Sequence, residues 1–259
     1  MDTIFRQIET LLKHCDTTLS CLPPALLYNE GWMLRATVDR FASLDLGSER
    51  HPLAVPANCR WYSEALLPSA FLPESRGDSR GESWTHADGV IGQFDIGGGT
   101  KGDLTLHRDA THFVVLEAKM FSKLSSGVKH ASHFNQAARN VACMAEVLKR
   151  AGRRPAEFSA LGFYVLAPAS QIEQSVFADY LGSDALRRTV EKRVSQYGGT
   201  RDTWFREWFL PTHEKLDVKA ISWEELISFL AKRDDETEEL RGFYGRCLEF
   251  NRPREESEA

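Results

Sequence analysis

Nowhere in this 259-residue chain does an apolar run approach the roughly 18–20 residues that cross a bilayer. No membrane-spanning segment is therefore expected. A basic-then-apolar leader is missing too, since Asp2 and Glu9 stand early in the opening MDTIFRQIETLLKHCD. Export is thus not expected, and a cytoplasmic address is. Cysteine is scarce: Cys15, Cys21, Cys59, Cys143 and Cys247 are odd in number and never spaced CxxC. That argues against a disulfide framework and a zinc knuckle, and leaves small apolar fillers. No internal repeat is evident. The net charge of −5 is too mild, and of the wrong sign, for a globally basic nucleic-acid wrapper. With 42% hydrophobic and 27% charged residues the chain is neither collagen-like nor wholly disordered. Its length allows one substantial domain over 1–259 at roughly 100–200 residues per domain.

Hydrophobic periodicity supplies the elements. Residues 3–14 read as a helix striped by Ile4, Ile8, Leu11 and Leu12, and a second helix runs near 25–44 after the breaker Leu22-Pro23-Pro24. Residues 45–83 are rich in Pro, Gly, Ser and Arg and read as irregular, with a short helix around 63–67 and a loop at 76–81. Strands are expected at 90–96, 103–107 and 112–118, then a helix at 131–150 ended by Gly152 and Pro155. The apolar run 158–167 reads as a strand buried on both faces. Helix follows at 170–196, a strand at 217–221 and a helix at 223–232, opened by a capping box of Ser222 and Glu225. The polar end, 251–259, is expected to fray. This order predicts an α/β fold, a mixed central sheet flanked by helices.

The informative segment is Lys101-Gly102-Asp103-Leu104-Thr105-Leu106 followed by His112-Phe113-Val114-Val115-Leu116-Glu117-Ala118-Lys119. Strand side chains alternate, so Glu117 and Lys119 project the same way at the end of a strand apolar on both faces. A hairpin turning near Asp109-Ala110 would set Asp103 across from residues 115–117. Two carboxylates and an ammonium would then converge. Hard carboxylate oxygens suit Mg²⁺, and a nearby lysine can orient water, so the set fits phosphodiester hydrolysis. Charge is also uneven: residues 119–154 hold eight Lys and Arg against Glu146 alone, a local +7 that leaves −12 elsewhere. A polyanion-facing side is compatible with that.

Asp103, thirteen residues and then Glu117-Ala118-Lys119 resembles the signature of the PD-(D/E)XK nuclease superfamily, which has a restriction-endonuclease-like fold. Members usually carry an acid on a preceding helix, where Glu30 stands in Tyr28-Asn29-Glu30-Gly31-Trp32. Many place a glutamine on the following helix, where Gln136 stands in Phe134-Asn135-Gln136-Ala137-Ala138-Arg139-Asn140. The resemblance covers about residues 25–168; it departs in having Lys101-Gly102 where the family has a proline before the aspartate. It implies Mg²⁺-dependent hydrolysis of DNA, RNA not being excluded and Mn²⁺ able to substitute. Asp103, Glu117, the Ala118 carbonyl and Glu30 would be metal ligands, Lys119 would position water, and Gln136 would aid site geometry. A role in defence, restriction or repair, and a homodimer or a partner protein, would fit such a family.

Other readings compete at individual residues. Asp95 is second choice for the motif acid, and Glu64 a further ligand candidate, although a plain helix-surface acid also explains it. His86 and Asp88 could line the cleft, but Asp88-Gly89 is more simply a turn. Gly97-Gly98-Gly99-Thr100-Lys101-Gly102 fits GxGxxG yet precedes a strand instead of a helix. His130 and His133 are spaced HxxH without further partners and read as a solvated helix start. Lys149-Arg150 and Arg153-Arg154 read either as a charged helix end or as DNA contacts. The rival function is a catalytically silent module of this fold that binds nucleic acid or assembles in a larger complex.

Overall fold

The computed structural model describes residues 2–18, 20–46, 49–127, 131–234 and 236–253. Helices α1 (Asp2–Lys13) and α2 (Glu30–Ser43) precede β1 (Arg60–Leu67), β2 (Thr85–Gly92), β3 (Phe94–Ile96), β4 (Leu104–Leu106) and β5 (His112–Ala118). Then come α3 (Gln136–Ala151), β6 (Ala160–Ala167), α4 (Ala169–Glu173), α5 (Ala178–Leu181) and α6 (Ser183–Ser195). The last part holds α7 (Asp202–Trp204), a π-helical turn Phe205–Phe209, α8 (Leu210–Lys215), β7 (Asp217–Ser222), α9 (Trp223–Leu230) and α10 (Thr237–Asn251). Five strands form one mixed sheet in the order β1-β2-β5-β6-β7. β2 is antiparallel to both β1 and β5, whereas β5, β6 and β7 run parallel. β3 and β4 form a separate two-stranded ribbon.

All seven residues of β5 and seven of the eight in β6 are buried, because helices cover both faces. Phe113, Val115, Phe163 and Val165 face a core completed by α3 and α6. Val114, Leu116, Tyr164 and Leu166 face another, completed by α2, α9 and α10. Small residues along α3 (Ala137, Ala138, Ala142, Ala145), all buried, let that helix lie close to the sheet. Asn135 caps it by accepting from the Ala138 N–H at 2.9 Å, and Gly152 ends it at φ 67°, a left-handed turn suited to glycine. Asn29 caps α2 in the same way, accepting from Trp32 N at 3.0 Å.

Several expectations are corrected. Residues 60–67 form an edge strand instead of containing a short helix, since pairing with β2 overrides the helix propensity of Glu64-Ala65-Leu66-Leu67. The strand expected at 90–96 breaks at Gln93 into β2 and β3. β4 pairs with β3, not with β5, so the expected 103–118 hairpin does not form. Residues 170–196 are three helices, interrupted at Ser175 (φ 57°) and Gly182, and the expected 131–150 helix starts at Gln136. Ser222 accepts from Glu225 N at 3.0 Å, which is one half of the expected capping box. Residues 254–259 of the expected frayed tail, with Lys129 and His130, lie outside the described residues.

Candidate active site

The site grows from a break in the sheet. β1 pairs Ser63 with Gly89 and Ala65 with Ala87, but the pairing skips Glu64 and Asp88. Glu64 there has φ 59°, a left-handed conformation that costs a non-glycine residue about 1–3 kcal/mol. Tyr62 and Ala65 contact the same core, and so do Ala87 and Val90, although an odd spacing should put each pair on opposite faces. Both strands therefore lose their alternation at one level. β2 stops pairing with β5 after Gly89 and Leu116, one step before Asp88 would oppose Glu117. Asp88 turns its carboxylate into the gap, where Oδ2 accepts from the Ala118 N–H at 2.8 Å.

Glu117, the penultimate residue of β5, is only 1% exposed. Its Oε1 accepts from Lys119 Nζ at 2.7 Å and from Gln136 Nε2 at 2.6 Å, and Oε2 accepts from Asn140 Nδ2 at 3.3 Å. Gln136 is itself fixed, because its Oε1 accepts from Ser125 N at 3.2 Å and its N–H donates to Ser125 O at 3.0 Å. The backbone beyond β5 is held from two sides: Lys119 N donates to Leu166 O at 2.8 Å, and Trp223 Nε1 donates to Lys119 O at 3.0 Å. Burial raises the Glu117 carboxyl to about 8, the Asp88 charge adds to that, and Lys119 opposes it. For Lys119, burial pulls downward, but Glu117, Asp88 and Glu30 outweigh it and the ammonium is raised.

The sequence candidates thus divide. Glu117, Lys119 and Gln136 meet through direct hydrogen bonds, and Glu30, in the first turn of α2, lies near enough for its charge to reach Lys119. Asp103 does not join them. Its carboxylate accepts from Gly99 N and Thr100 N, both at 2.8 Å, and closes the glycine-rich turn. Its one bridge is to Leu66, on the β1 edge, which leaves it three strand spacings from β5, about 14 Å at ~4.8 Å each. It is too distant to share an ion with Glu117. Asp95 pairs with His107 at 3.3 Å on the outer ribbon, and Glu64 pairs with Arg35 at 3.2 Å. His86 is exposed. Asp88, discounted as a turn residue, is the acid placed beside Glu117. The missed signal was a lone acid inside Thr85-His86-Ala87-Asp88-Gly89-Val90-Ile91, at the register position facing Glu117.

Four bases of the expected run, at and beyond the end of α3, are occupied elsewhere. Arg150 and Lys149 pair with Glu146 at 2.9 and 3.4 Å, Arg153 with Glu157 at 2.9 Å, and Arg154 stacks 4.2 Å from the Trp208 ring centroid. Arg150 lies about 21 Å along α3 from Gln136, at 1.5 Å per residue. On α6, by contrast, Arg188 and Lys192 have no ion-pair partner among the described residues. With His133, three residues before Gln136, they line a shallow groove of about 280 Å³. Nothing in the sequence order pointed to them.

Among the described residues no three His, Cys, Asp or Glu side chains form a ready-made metal cage. Mg²⁺ seldom needs one, since it keeps several waters and binds through one or two carboxylates. Asp88 and Glu117 offer adjacent hard oxygens; burial first, and the Asp88 charge second, favour the protonated Glu117 carboxyl, and a divalent cation would oppose both. The donor set fits such an ion. Compared with known proteins, the chain matches no family model, no curated protein and no solved structure.

Proposed function

We propose that the chain is a metal-dependent nuclease of restriction-endonuclease-like fold, with Asp88 in the role that the sequence motif gave to Asp103. The observation that carries this reading is the break between β2 and β5, which brings Asp88, Glu117 and Lys119 together at the end of a buried strand. Asp88 and Glu117, with the Ala118 carbonyl and Glu30 beside them, would hold Mg²⁺. The bound ion would polarise a phosphoryl oxygen and lower the pKa of water. Lys119, its Nζ anchored by Glu117, orients the attacking water and offsets charge on the phosphate. Gln136 and Asn140 keep the Glu117 carboxylate in one rotamer. Water adds to phosphorus, the P–O3′ bond breaks, and a 5′-phosphate and a 3′-hydroxyl result. Arg188 and Lys192 receive flanking phosphates, a contact that favours DNA or RNA without reading sequence.

The rival, a silent nucleic-acid-binding module, draws on one observation: three donors already engage both oxygens of Glu117. Incubating the protein and Lys119→Ala with labelled single- and double-stranded DNA and RNA, with and without Mg²⁺ or Mn²⁺, separates the two readings. Metal-dependent cleavage lost in the variant supports the nuclease. Binding without cleavage by the parent protein supports the module.

A further inference from the structure

A cavity lies at the opposite end of the parallel strands. It has a volume of about 480 Å³ and opens between the first residues of β5, β6 and β7 and the segment 49–56. That segment is pinned: the His51 ring lies 4.5 Å from the Phe41 centroid and 4.2 Å from Phe229, and His51 Nδ1 accepts from Leu53 N. The floor depends on Gly162. A Cβ there would meet the Tyr164 ring at 2.5 Å, so glycine alone lets the ring fold back along the sheet. The Tyr164 hydroxyl then donates to Asp217 Oδ2 at 2.9 Å, and the same oxygen pairs with Lys219 at 2.9 Å.

Charge in this cavity is unbalanced. Both of its acids are engaged, Asp217 as above and Glu49 by a two-pronged contact from Arg233 at 2.8 and 2.9 Å. Arg50 and Lys215, also on the wall, have no ion-pair partner among the described residues. His112 lines the cavity from within the sheet. It is 8% exposed, its backbone N–H donates to Gln93 Oε1 at 3.1 Å, and its ring Nε2 is buried without a hydrogen-bond partner. Buried polar atoms are rarely left so, because each costs about 1–3 kcal/mol. Val114, Leu161 and Pro52 supply apolar wall to the same cavity. An occupant that satisfies all three features is anionic at one end, has an apolar body, and carries a hydrogen-bonding atom at its far end.

We propose that this cavity binds a phosphorylated small molecule of nucleotide size, with its phosphate on Arg50 and Lys215 and its body hydrogen-bonded to His112 Nε2. The site is independent of the nuclease reading. A concave cavity of this volume suits a small ligand. Burial also holds the His112 imidazole neutral, with its pKa lowered to about 4, so it meets the ligand as a neutral donor or acceptor.

The test is calorimetric titration of the full chain with adenosine 5′-monophosphate, with adenosine and inorganic phosphate as separate arms. The monophosphate is expected to bind at least about tenfold more tightly than either fragment. Arg50→Ala with Lys215→Ala is expected to weaken it about tenfold or more and to leave adenosine unchanged. His112→Phe should weaken both adenosine and the monophosphate; circular dichroism checks its folding, and the surface double variant stands in if it fails to fold. No heat from the monophosphate at ~1 mM, or equal binding by parent and double variant, overturns the proposal. Phosphate binding as tightly as the monophosphate would overturn the role given to the ligand body.

Discussion

The two ends of β5, β6 and β7 carry opposite kinds of chemistry on one scaffold. At the carboxyl ends an acid pair, Asp88 and Glu117, faces a single nearby ammonium. At the amino ends the acids are paired and two bases are not. Between the ends nearly every residue of β5 and β6 is buried in apolar core. Charges on such strands can sit only at their ends, and the residue just past an end decides what each can bind. The comparison teaches that Glu117 and His112, five residues apart on one strand, belong to separate sites.

The largest expected effect tests the carboxyl end. Asp88→Asn, Glu117→Gln and Lys119→Ala should each lower Mg²⁺-dependent cleavage by about 10²–10⁴-fold, whereas Asp103→Asn should change it by less than about twofold. Oligonucleotide cleavage rates decide; a large loss in Asp103→Asn would reverse the assignment.

The two ends should also impose opposite pH slopes on stability. Glu117 is raised to about 8, so without metal the folded state holds a proton that the unfolded state has released above about 4.5. Its contribution is complete below that value and is lost as pH rises through about 8. His51 and His112 are lowered to about 4 by burial, so their contribution is complete above about 6.5 and is lost as pH falls through about 4. Urea unfolding from pH 4 to 9 should therefore give a rising limb below 6.5 and a falling limb above it. Glu117→Gln should flatten the falling limb alone, and saturating Mg²⁺ should do the same. A falling limb that survives both changes would remove the raised carboxyl from the account.

A smaller effect separates the basic residues. Arg188→Ala with Lys192→Ala should weaken DNA binding in Ca²⁺ and cut the slope of log affinity against log salt by roughly 1–2 units. Lys149→Ala with Arg150→Ala should leave that slope unchanged, as both bases are paired with Glu146. Fluorescence anisotropy across a salt series reads both. Smallest is Asp103→Ala, which should cost about 1–2 kcal/mol of stability through two lost turn hydrogen bonds, measured as a lower urea midpoint.

Much of the frame was legible because it rests on local patterns. β5 and β6 announced themselves as apolar runs, α3 by the Gly152 and Pro155 that end it, and α9 by Ser222. Glu117 and Lys119 followed from strand alternation, and Gln136 from the resemblance to a nuclease superfamily. Asp88 did not, because its role depends on which strand lies beside β5. A short hairpin from 103 to 118 was the economical pairing. The chain instead returns β4 to β3, and β2 pairs with β5 across the intervening ribbon. The break at Glu64 was equally hidden, since a left-handed glutamate has no signature in sequence. The cations on α6 reach His133, just before α3, only through helix packing, and no element was expected over residues 202–215.

Trp223 gives the carboxyl end a property of another kind. Its indole is fully buried, and its N–H rests on the Lys119 carbonyl, two residues beyond Glu117. Any shift of that peptide when an ion arrives alters the polarity felt by the ring, and so the colour of its emission. With the other five tryptophans replaced by phenylalanine, the protein would carry its own optical gauge of events at Glu117.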